Sequence, residues 1–297
     1  MCIRDSYDAA FAALGKLYGL RARAMISNLT LVGGLAMTVT WPLSAVLVEA
    51  IGWRGTCFFY AGMHLVVGLP LLLFLLPTTL PAAPAAAAPP QALQAPRAQF
   101  RRGVLIWLVG TNLTLQIGIG SVLAVHLVGL LQGLHLELAT AVALGSLMGT
   151  CQVAGRLIEV AVARYVHPVW EGVVASLLVL LGLALLLTGN PVIVAIALIV
   201  YGLGNGVRTI VKGTLPLVLF GAEGYATLIG RLGMPTLLAQ AAGPALGAVV
   251  ITRYGVMPTL VMLVALALAN LALSYALRFA LPQDRRTPQK QPSPASG

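Results

Sequence analysis

The chain has 297 residues, of which 59% are hydrophobic and only 9% are charged, and its formal net charge is +10. A soluble globular domain contains about 25% charged residues, so this composition excludes an ordinary soluble protein. The positive net charge is compatible with binding to nucleic acid or with a membrane topology signal, and the position of the charges decides between the two.

The chain begins with two short segments. Residues 1–6, MCIRDS, have no signal-peptide character and look like a translated adapter, so we expect them to be a non-native leader. Residues 7–15 are apolar but too short to cross a bilayer, and they run into a basic loop from Lys16 to Arg23. They look like the inner end of a helix whose outer half is missing. We therefore expect the chain to be a fragment.

Eight apolar stretches follow, and each is long enough to cross the roughly 30 Å hydrocarbon core as a helix of about 20 residues. The alternating pattern of a transmembrane barrel is absent. The sequence therefore predicts an all-α, polytopic transmembrane bundle with eight complete spans and one partial span. The predicted spans are 26–48, 56–76, 104–131, 138–157, 169–188, 191–207, 228–250 and 257–280.

Two proline-rich segments interrupt or follow the spans. Residues 77–102 carry prolines between alanines and end in Arg101 and Arg102. Proline at this density cannot continue a helix, so we expect an extended, largely disordered cytoplasmic linker. It separates a first part, residues 7–76, from a second part, residues 103–281, and residues 282–297 form a similar tail.

The basic residues collect in alternate loops. If the first loop is cytoplasmic, the other side of the membrane holds only Arg54 and Arg253. This bias fixes the orientation and predicts a multi-pass protein of the cell inner membrane with both termini in the cytoplasm. The basic residues are therefore expected to face the lipid bilayer, and nucleic acid is not an expected partner. The cytoplasmic set is Lys16, Arg21, Arg23, Arg97, Arg101, Arg102, Arg156, Arg164, Arg208, Lys212, Arg231, Arg278, Arg285, Arg286 and Lys290.

A weak internal repeat suggests two related halves. A shift of 202 residues lays residues 17–19 over residues 219–221 and Pro42 over Pro244. In both regions a helix end is followed by a basic loop and then by a span that contains the proline. A period near 200 residues that contains six spans indicates two six-helix halves in parallel, so residues 7–76 are expected to be the remnant of the first half.

These features resemble the major facilitator superfamily of secondary transporters. Residues 7–19, Gly33-Gly34, Trp41-Pro42 and residues 52–55 look like helices 4 to 6 of bacterial members. Residues 155–164 occupy the loop between helices 8 and 9, where the family carries a basic and acidic motif, although the Asp-Arg-x-Gly-Arg core is lacking. The resemblance covers residues 7–281. It implies that helices 1 to 3 are missing and that transport proceeds by alternating access around a central cavity.

Three functions remain open at this point. The first is transport of a small organic anion, and the second is efflux of a hydrophobic compound. The third, from another class, is a membrane-embedded enzyme or sensor. The sequence shows no acidic motif of a membrane phosphotransferase and no His/Cys metal cluster. We therefore expect no catalytic residue, no cofactor and no metal.

Polar side chains at membrane depth are costly and usually face a cavity or the bundle interior. In the family fold, helices 7, 8, 10 and 11 surround the central cavity, and the resemblance assigns them to the spans 104–131, 138–157, 191–207 and 228–250. We therefore expect the polar residues in or next to these spans to line the substrate path: Asn112, Gln116, Gln152, Asn205, Arg208 and Gln240. The alternative is that the amides bond across helix interfaces and that Arg208 extends to the lipid headgroups.

The loop motif offers a second candidate site. Arg156, Glu159 and Arg164 could bond to neighbouring helix ends and hold the cytoplasmic side closed. The alternative is ordinary topological charge on a cytoplasmic loop.

Asp8 is the candidate for proton coupling. It is the one acidic residue predicted to lie deep, about 12 Å along the helix from Lys16. Burial favours the neutral acid, which would allow proton uptake and release during transport. The alternative is a helix-packing or substrate-orienting role, in which Asp8 bonds to a residue of one of the missing helices.

The charge distribution makes a testable prediction about topology. Single cysteines placed at Ala86 and Gly133, in a chain without native cysteines, should be labelled from opposite sides of the membrane. Ala86→Cys should react only from the cytoplasm and Gly133→Cys only from outside. Labelling of the Ala86 position from outside would contradict the orientation.

Overall fold

The computed structural model describes residues 3–19, 22–75, 96–163, 165–221 and 224–280, and the regular structure there is helical. The helices are α1 (Ile3–Tyr18), α2 (Ala22–Met63), α3 (Leu69–Leu75), α4 (Pro96–Gly133), α5 (Leu138–Val162), α6 (Pro168–Leu186), α7 (Pro191–Phe220), α8 (Tyr225–Tyr254) and α9 (Val256–Ala280). A π-helical turn, His64–Gly68, joins α2 to α3.

The all-α membrane class is confirmed, but the predicted number of spans is not. Among the described residues, six helices, α4 to α9, are long and apolar enough to cross a membrane. The predicted spans 26–48 and 56–76 fall on the run from α2 to α3, which is not among those six. Large apolar side chains also face outward, as lipid contact requires, and Phe74 is 87% exposed.

Three helices extend beyond the predicted boundaries. α1 begins at Ile3, inside the predicted leader, and α4 begins at Pro96, inside the predicted linker. Proline is favoured at the first helical position because its missing N–H has no partner there anyway. α7 continues to Phe220, well beyond the predicted end at residue 207, since buried Arg208 does not mark the exit of the chain from the membrane.

The long α2 is two helices joined at Gly52. This residue has φ +70° and ψ 170°, which interrupts the helical backbone. A positive φ is unfavourable for residues with a side chain, and glycine adopts it readily. The break lies between the two predicted spans 26–48 and 56–76. The helix is therefore kinked where the apolar pattern predicts that one span ends and the next begins.

Helices α4 to α9 form one packed group. α7 lies between α5 and α6, α9 lies between α6 and α4, and α4 packs against α8. A large apolar cluster, which includes Leu123, Leu183, Leu198 and Leu263, fills the space among α4, α6, α7 and α9. These contacts leave α5, α7 and α8 as the helices that receive the first part of the chain.

Helices α1 and α2 dock on this group. α1 packs mainly against α8, and α2 packs against α5 and α7. Phe11 of α1 and Ile26 of α2 form a buried cluster with Leu217 of α7 and with Tyr225 and Ile229 of α8. The first part of the chain therefore meets the six-helix group over a small apolar surface at one end of the bundle.

Glycines allow α5 and α7 to approach closely. A Cβ added at Gly202 would lie 2.7 Å from the Met148 carbonyl oxygen, and one added at Gly155 or Gly206 would collide with the carbonyl oxygen of Leu203 or Gln152. Small residues allow membrane helices to pack backbone against backbone, where lipid supplies no hydrophobic driving force. The α5–α7 contact depends on these three positions.

The end of α4 also affects the labelling experiment. A Cβ added at Gly133 would collide with Val256 of α9. The neighbouring Gln132 is exposed, so Gln132→Cys reports the same side of the membrane without disturbing this contact.

Gly155→Ala should weaken the α5–α7 contact. The added methyl group has no room beside Leu203, and overpacking costs about 1–3 kcal/mol. At Gly149, on the same helix, an added Cβ would have no other group within 4 Å. Gly149→Ala is therefore the control, and it should be neutral or slightly stabilising because alanine favours the helix.

The measurement is the midpoint of thermal unfolding in detergent. The predicted result is a lower midpoint for Gly155→Ala and no decrease for Gly149→Ala. Equal midpoints for both variants would show that the backbone contact is not needed for stability.

Candidate functional site

A buried polar network joins α4, α6 and α9. The Asn112 side-chain amide donates to the Asn270 carbonyl at 3.1 Å and to the Ser274 hydroxyl at 2.8 Å. The Asn270 amide donates back to the Asn112 carbonyl at 2.7 Å. Ser176 of α6 donates to the Asn270 side-chain oxygen and bonds to the Ser274 hydroxyl. The four residues satisfy one another and connect three helices in an apolar surrounding.

A small cavity opens beside this network. Its polar lining includes Asn112, Gln116, Ser176, Arg208 and Ser274, and it has room for about one water molecule. Arg208 is 2% exposed, so protein atoms surround its side chain in this structure. The Gln116 amide donates to the Arg208 carbonyl at 3.2 Å. Amides, hydroxyls and a buried guanidinium therefore meet between α4, α6, α7 and α9.

A second pair of predicted path residues lies between α5 and α7. The Asn205 amide donates to the Gln152 side-chain oxygen at 3.1 Å, and both residues are partly buried. Gln240 of α8 is also partly buried and makes no hydrogen bond within the described residues. These three amides do not line the cavity that Arg208 lines.

The first part of the chain contributes a charge to the six-helix group. Arg23, at the start of α2, donates to the Glu171 carboxylate of α6 at 2.6 Å and to the Val166 carbonyl at 3.1 Å. Glu171 is 7% exposed and the Arg23 side chain is 25% exposed. This is a partly buried ion pair between two segments 148 residues apart in sequence.

The predicted loop motif meets the same helix. Arg156 of α5 is buried and donates to the Thr30 carbonyl of α2 at 3.4 Å. Its guanidinium lies so close to Gly34 that a side chain there would collide with it. Glu159 is buried beside the Ser27 hydroxyl, although the two do not form a well-aligned hydrogen bond. We call the following group the polar clasp: Arg23, Ser27, Thr30, Arg156, Glu159 and Glu171.

The structure thus brings together some predicted residues and separates others. Asn112, Gln116 and Arg208 share a cavity, and Arg156 and Glu159 share the polar clasp. Arg164 lies outside the described residues, and so does the side chain of Asp8. The gating role of Arg164 and the proton-coupling role of Asp8 therefore stay predictions.

Sequence reasoning missed Arg23, Glu171 and Ser176. In the sequence, Arg23 counts only as a topological charge, and Glu171, near the start of the predicted span 169–188, is not among the candidate site residues. A usable signal existed for Glu171, because an acidic residue on the strongly basic side of a membrane protein is a candidate for pairing. No comparable signal marks Ser176, since its partners on α4 and α9 are distant in sequence.

The described residues contain no group of three or more His, Cys, Asp or Glu side chains that could hold a metal ion. The side chains that meet in the cavity and in the polar clasp are amides, hydroxyls, guanidinium groups and carboxylates. Such groups can recognise an ionic ligand or join two moving parts.

The Arg23–Glu171 pair should be energetically coupled. Exposed ion pairs contribute about 0–1 kcal/mol, whereas loss of one partner of a buried pair costs about 3–5 kcal/mol. Because this pair is partly buried, we expect a coupling energy of about 1–3 kcal/mol in a double-mutant cycle of Arg23→Gln and Glu171→Gln.

Unfolding in detergent measures this coupling. Glu137→Gln serves as control, because Glu137 is an exposed carboxylate at the start of α5 without an ion-pair partner in the described residues. Additive effects of the two clasp substitutions would contradict the assigned contact.

Comparison with known proteins assigns the family. The model of the Major Facilitator Superfamily matches residues 8–211, a range that contains α2 to α6, the polar clasp and most of α7. No individual curated protein matches the sequence. The match covers more than half of the chain and spans both the docked first part and the packed group. The chain belongs to the major facilitator superfamily of membrane transporters.

Proposed function

We propose that the protein is a secondary active transporter that moves a small molecule by alternating access. In this mechanism two helical bodies rock against each other around a site near the middle of the membrane. The bodies are the first part of the chain, helices α1 to α3, and the packed group, helices α4 to α9. Family membership supports transport in general, and the contacts between the two bodies support the mechanism.

The observation that carries the proposal is the polar clasp. Arg23 to Glu171 and Arg156 to Thr30 both join α2 to the packed group. Charge-assisted bonds of this kind are strong when formed, yet they can be exchanged for water when the surfaces part. The clasp is suited to closing one face of the membrane, and its opening would admit or release the substrate there.

The substrate is a small organic anion in this proposal. Arg208 is buried and lines a cavity with amide and hydroxyl groups, and no carboxylate is among the cavity-lining residues that the structure describes. The cavity has room for about one water molecule in this arrangement, so it would have to widen to admit the anion. A guanidinium in such a setting recognises carboxylate or phosphate groups. Efflux of a hydrophobic compound is the second candidate, and the apolar part of the cavity lining, which includes Val211, Leu215 and Leu277, favours it.

Orientation and coupling complete the proposal. The charge bias supports an inner-membrane location with both termini in the cytoplasm, which places the polar clasp on the cytoplasmic side. Protons are the proposed coupling ion and Asp8 the proposed coupling carboxylate. This part rests on the depth of Asp8 in the sequence alone.

Ligand-dependent thermal stabilisation tests the substrate class. The purified chain is mixed with acetate, lactate, succinate, citrate or the hydrophobic cation tetraphenylphosphonium, and the unfolding midpoint is followed. A ligand that binds only the native state raises the midpoint with concentration. We expect one or more of the carboxylates to stabilise, and Arg208→Gln to weaken that ligand about tenfold or more, since hydrogen bonds to charged groups contribute about 1.5–3 kcal/mol.

Arg231→Gln is the matched control, because Arg231 is exposed on α8 and the change in charge is the same. Arg208→Lys keeps the charge and should retain part of the affinity. Stabilisation by tetraphenylphosphonium alone would favour the efflux alternative.

In the same titration, Asp8→Asn should remove the dependence of ligand affinity on pH, and an unchanged dependence would exclude Asp8 as the coupling group.

A further inference from the structure

An arginine with three aromatic neighbours lies at the end of α9. The Arg278 Cζ atom is 4.3 Å from the Tyr275 ring centroid, 4.7 Å from that of Phe279 and 5.5 Å from that of Trp170 on α6. Tyr275 and Phe279 also contact each other edge to face, with centroids 5.6 Å apart. Attraction between the cation and the ring faces therefore holds the guanidinium at the junction of α6 and α9.

The polar edge of this guanidinium has no protein partner in the described part of the chain. The ion pair found there joins Arg23 to Glu171, and Arg278 takes part in no hydrogen bond. A guanidinium carries five N–H donors in its plane, and aromatic contacts use the faces of the plane and not these donors. Arg278 is therefore oriented by its neighbours while its hydrogen-bonding capacity stays open.

The surroundings of Arg278 place it at a membrane–water boundary. It lies in the last turn of α9, and Trp170 lies in the first turn of α6, so both are at the membrane face that carries the polar clasp. Trp170, Tyr275 and Phe279 are 46%, 43% and 60% exposed. Exposed aromatic rings at the end of membrane helices lie at headgroup level.

We infer that Arg278, Trp170, Tyr275 and Phe279 form a binding site for the headgroup of an anionic phospholipid. The N–H fork of Arg278 matches the two unesterified oxygens of a phosphodiester, and the exposed rings cover the glycerol region and the first methylene groups. Basic positions between transmembrane helices on one membrane face are suited to such headgroups.

The apolar part of the site distinguishes a lipid from a soluble anion. Inorganic phosphate would use only Arg278 and would leave the three exposed rings uncovered. Two other arginines supply a comparison within the same molecule. Arg54 contacts one ring, that of Trp53, at 4.3 Å. Arg253 is exposed in the last turn of α8 and has no aromatic contact within the described residues.

Native mass spectrometry of the whole chain, released from detergent micelles, tests the site. The chain is titrated with phosphatidylglycerol or phosphatidylcholine, and the bound lipids are counted. We expect the wild type to hold one phosphatidylglycerol more tightly than phosphatidylcholine. Arg278→Gln should weaken that lipid about tenfold, as expected for loss of hydrogen bonds to a charged group, with phosphatidylcholine binding unchanged.

Two further variants separate a built site from general attraction. Arg278→Lys keeps the charge but loses the fork, so it should bind phosphatidylglycerol with intermediate affinity. Arg253→Gln removes the same charge at the opposite membrane face and should bind like the wild type. Equal binding of the two lipids by the wild type, or an equal loss in Arg253→Gln and Arg278→Gln, would overturn the proposal.

Discussion

The structure depends on one constraint, which is that a polar group at membrane depth must find its partner inside the protein. Lipid offers no hydrogen bonds, so a hydroxyl or amide on a membrane helix bonds either to its own helix, as Thr214 does, or to a neighbouring helix, as Asn112 does. Asn112 on α4 selects Asn270 and Ser274 on α9, and Asn205 on α7 selects Gln152 on α5. The apolar surfaces hold the helices in the membrane, and these polar contacts specify which helices are neighbours.

The same constraint separates permanent contacts from contacts that can open. The network of Asn112, Ser176, Asn270 and Ser274 lies wholly within the packed group and is completely buried, so opening it would leave bonds unmade in an apolar surrounding. The polar clasp instead joins the two bodies. Arg156, Glu159 and Glu171 are buried there, and the Arg23 side chain is 25% exposed. Water can replace its bonds when the two bodies part. A contact of this kind can close a path in one state and release it in another.

The sequence predicts the helices of the packed group well, because long apolar runs have few alternatives in a membrane protein. Gly243 and Gly247 have three residues between them, a spacing typical of close helix packing, and both lie against α4 in the structure. It fails at α7, where Arg208 was taken as the end of a span. The charge is buried by tertiary contacts that a single sequence does not encode locally. The pairing of Arg23 with Glu171 could not be predicted either, because the sequence marks Glu171 as a candidate for pairing but does not identify which of the basic residues is its partner.

The central claim is that the polar clasp joins two bodies that separate during the working cycle. The most direct measurement is the distance between spin labels at Ala24→Cys on α2 and Leu157→Cys on α5, in a chain without native cysteines. Both positions are exposed, so the labels should not disturb the contact. The account predicts a short and a long distance, with Glu171→Gln shifting the population toward the long one because the ion pair no longer favours the closed arrangement. A single short distance that is the same with and without Glu171→Gln would contradict it.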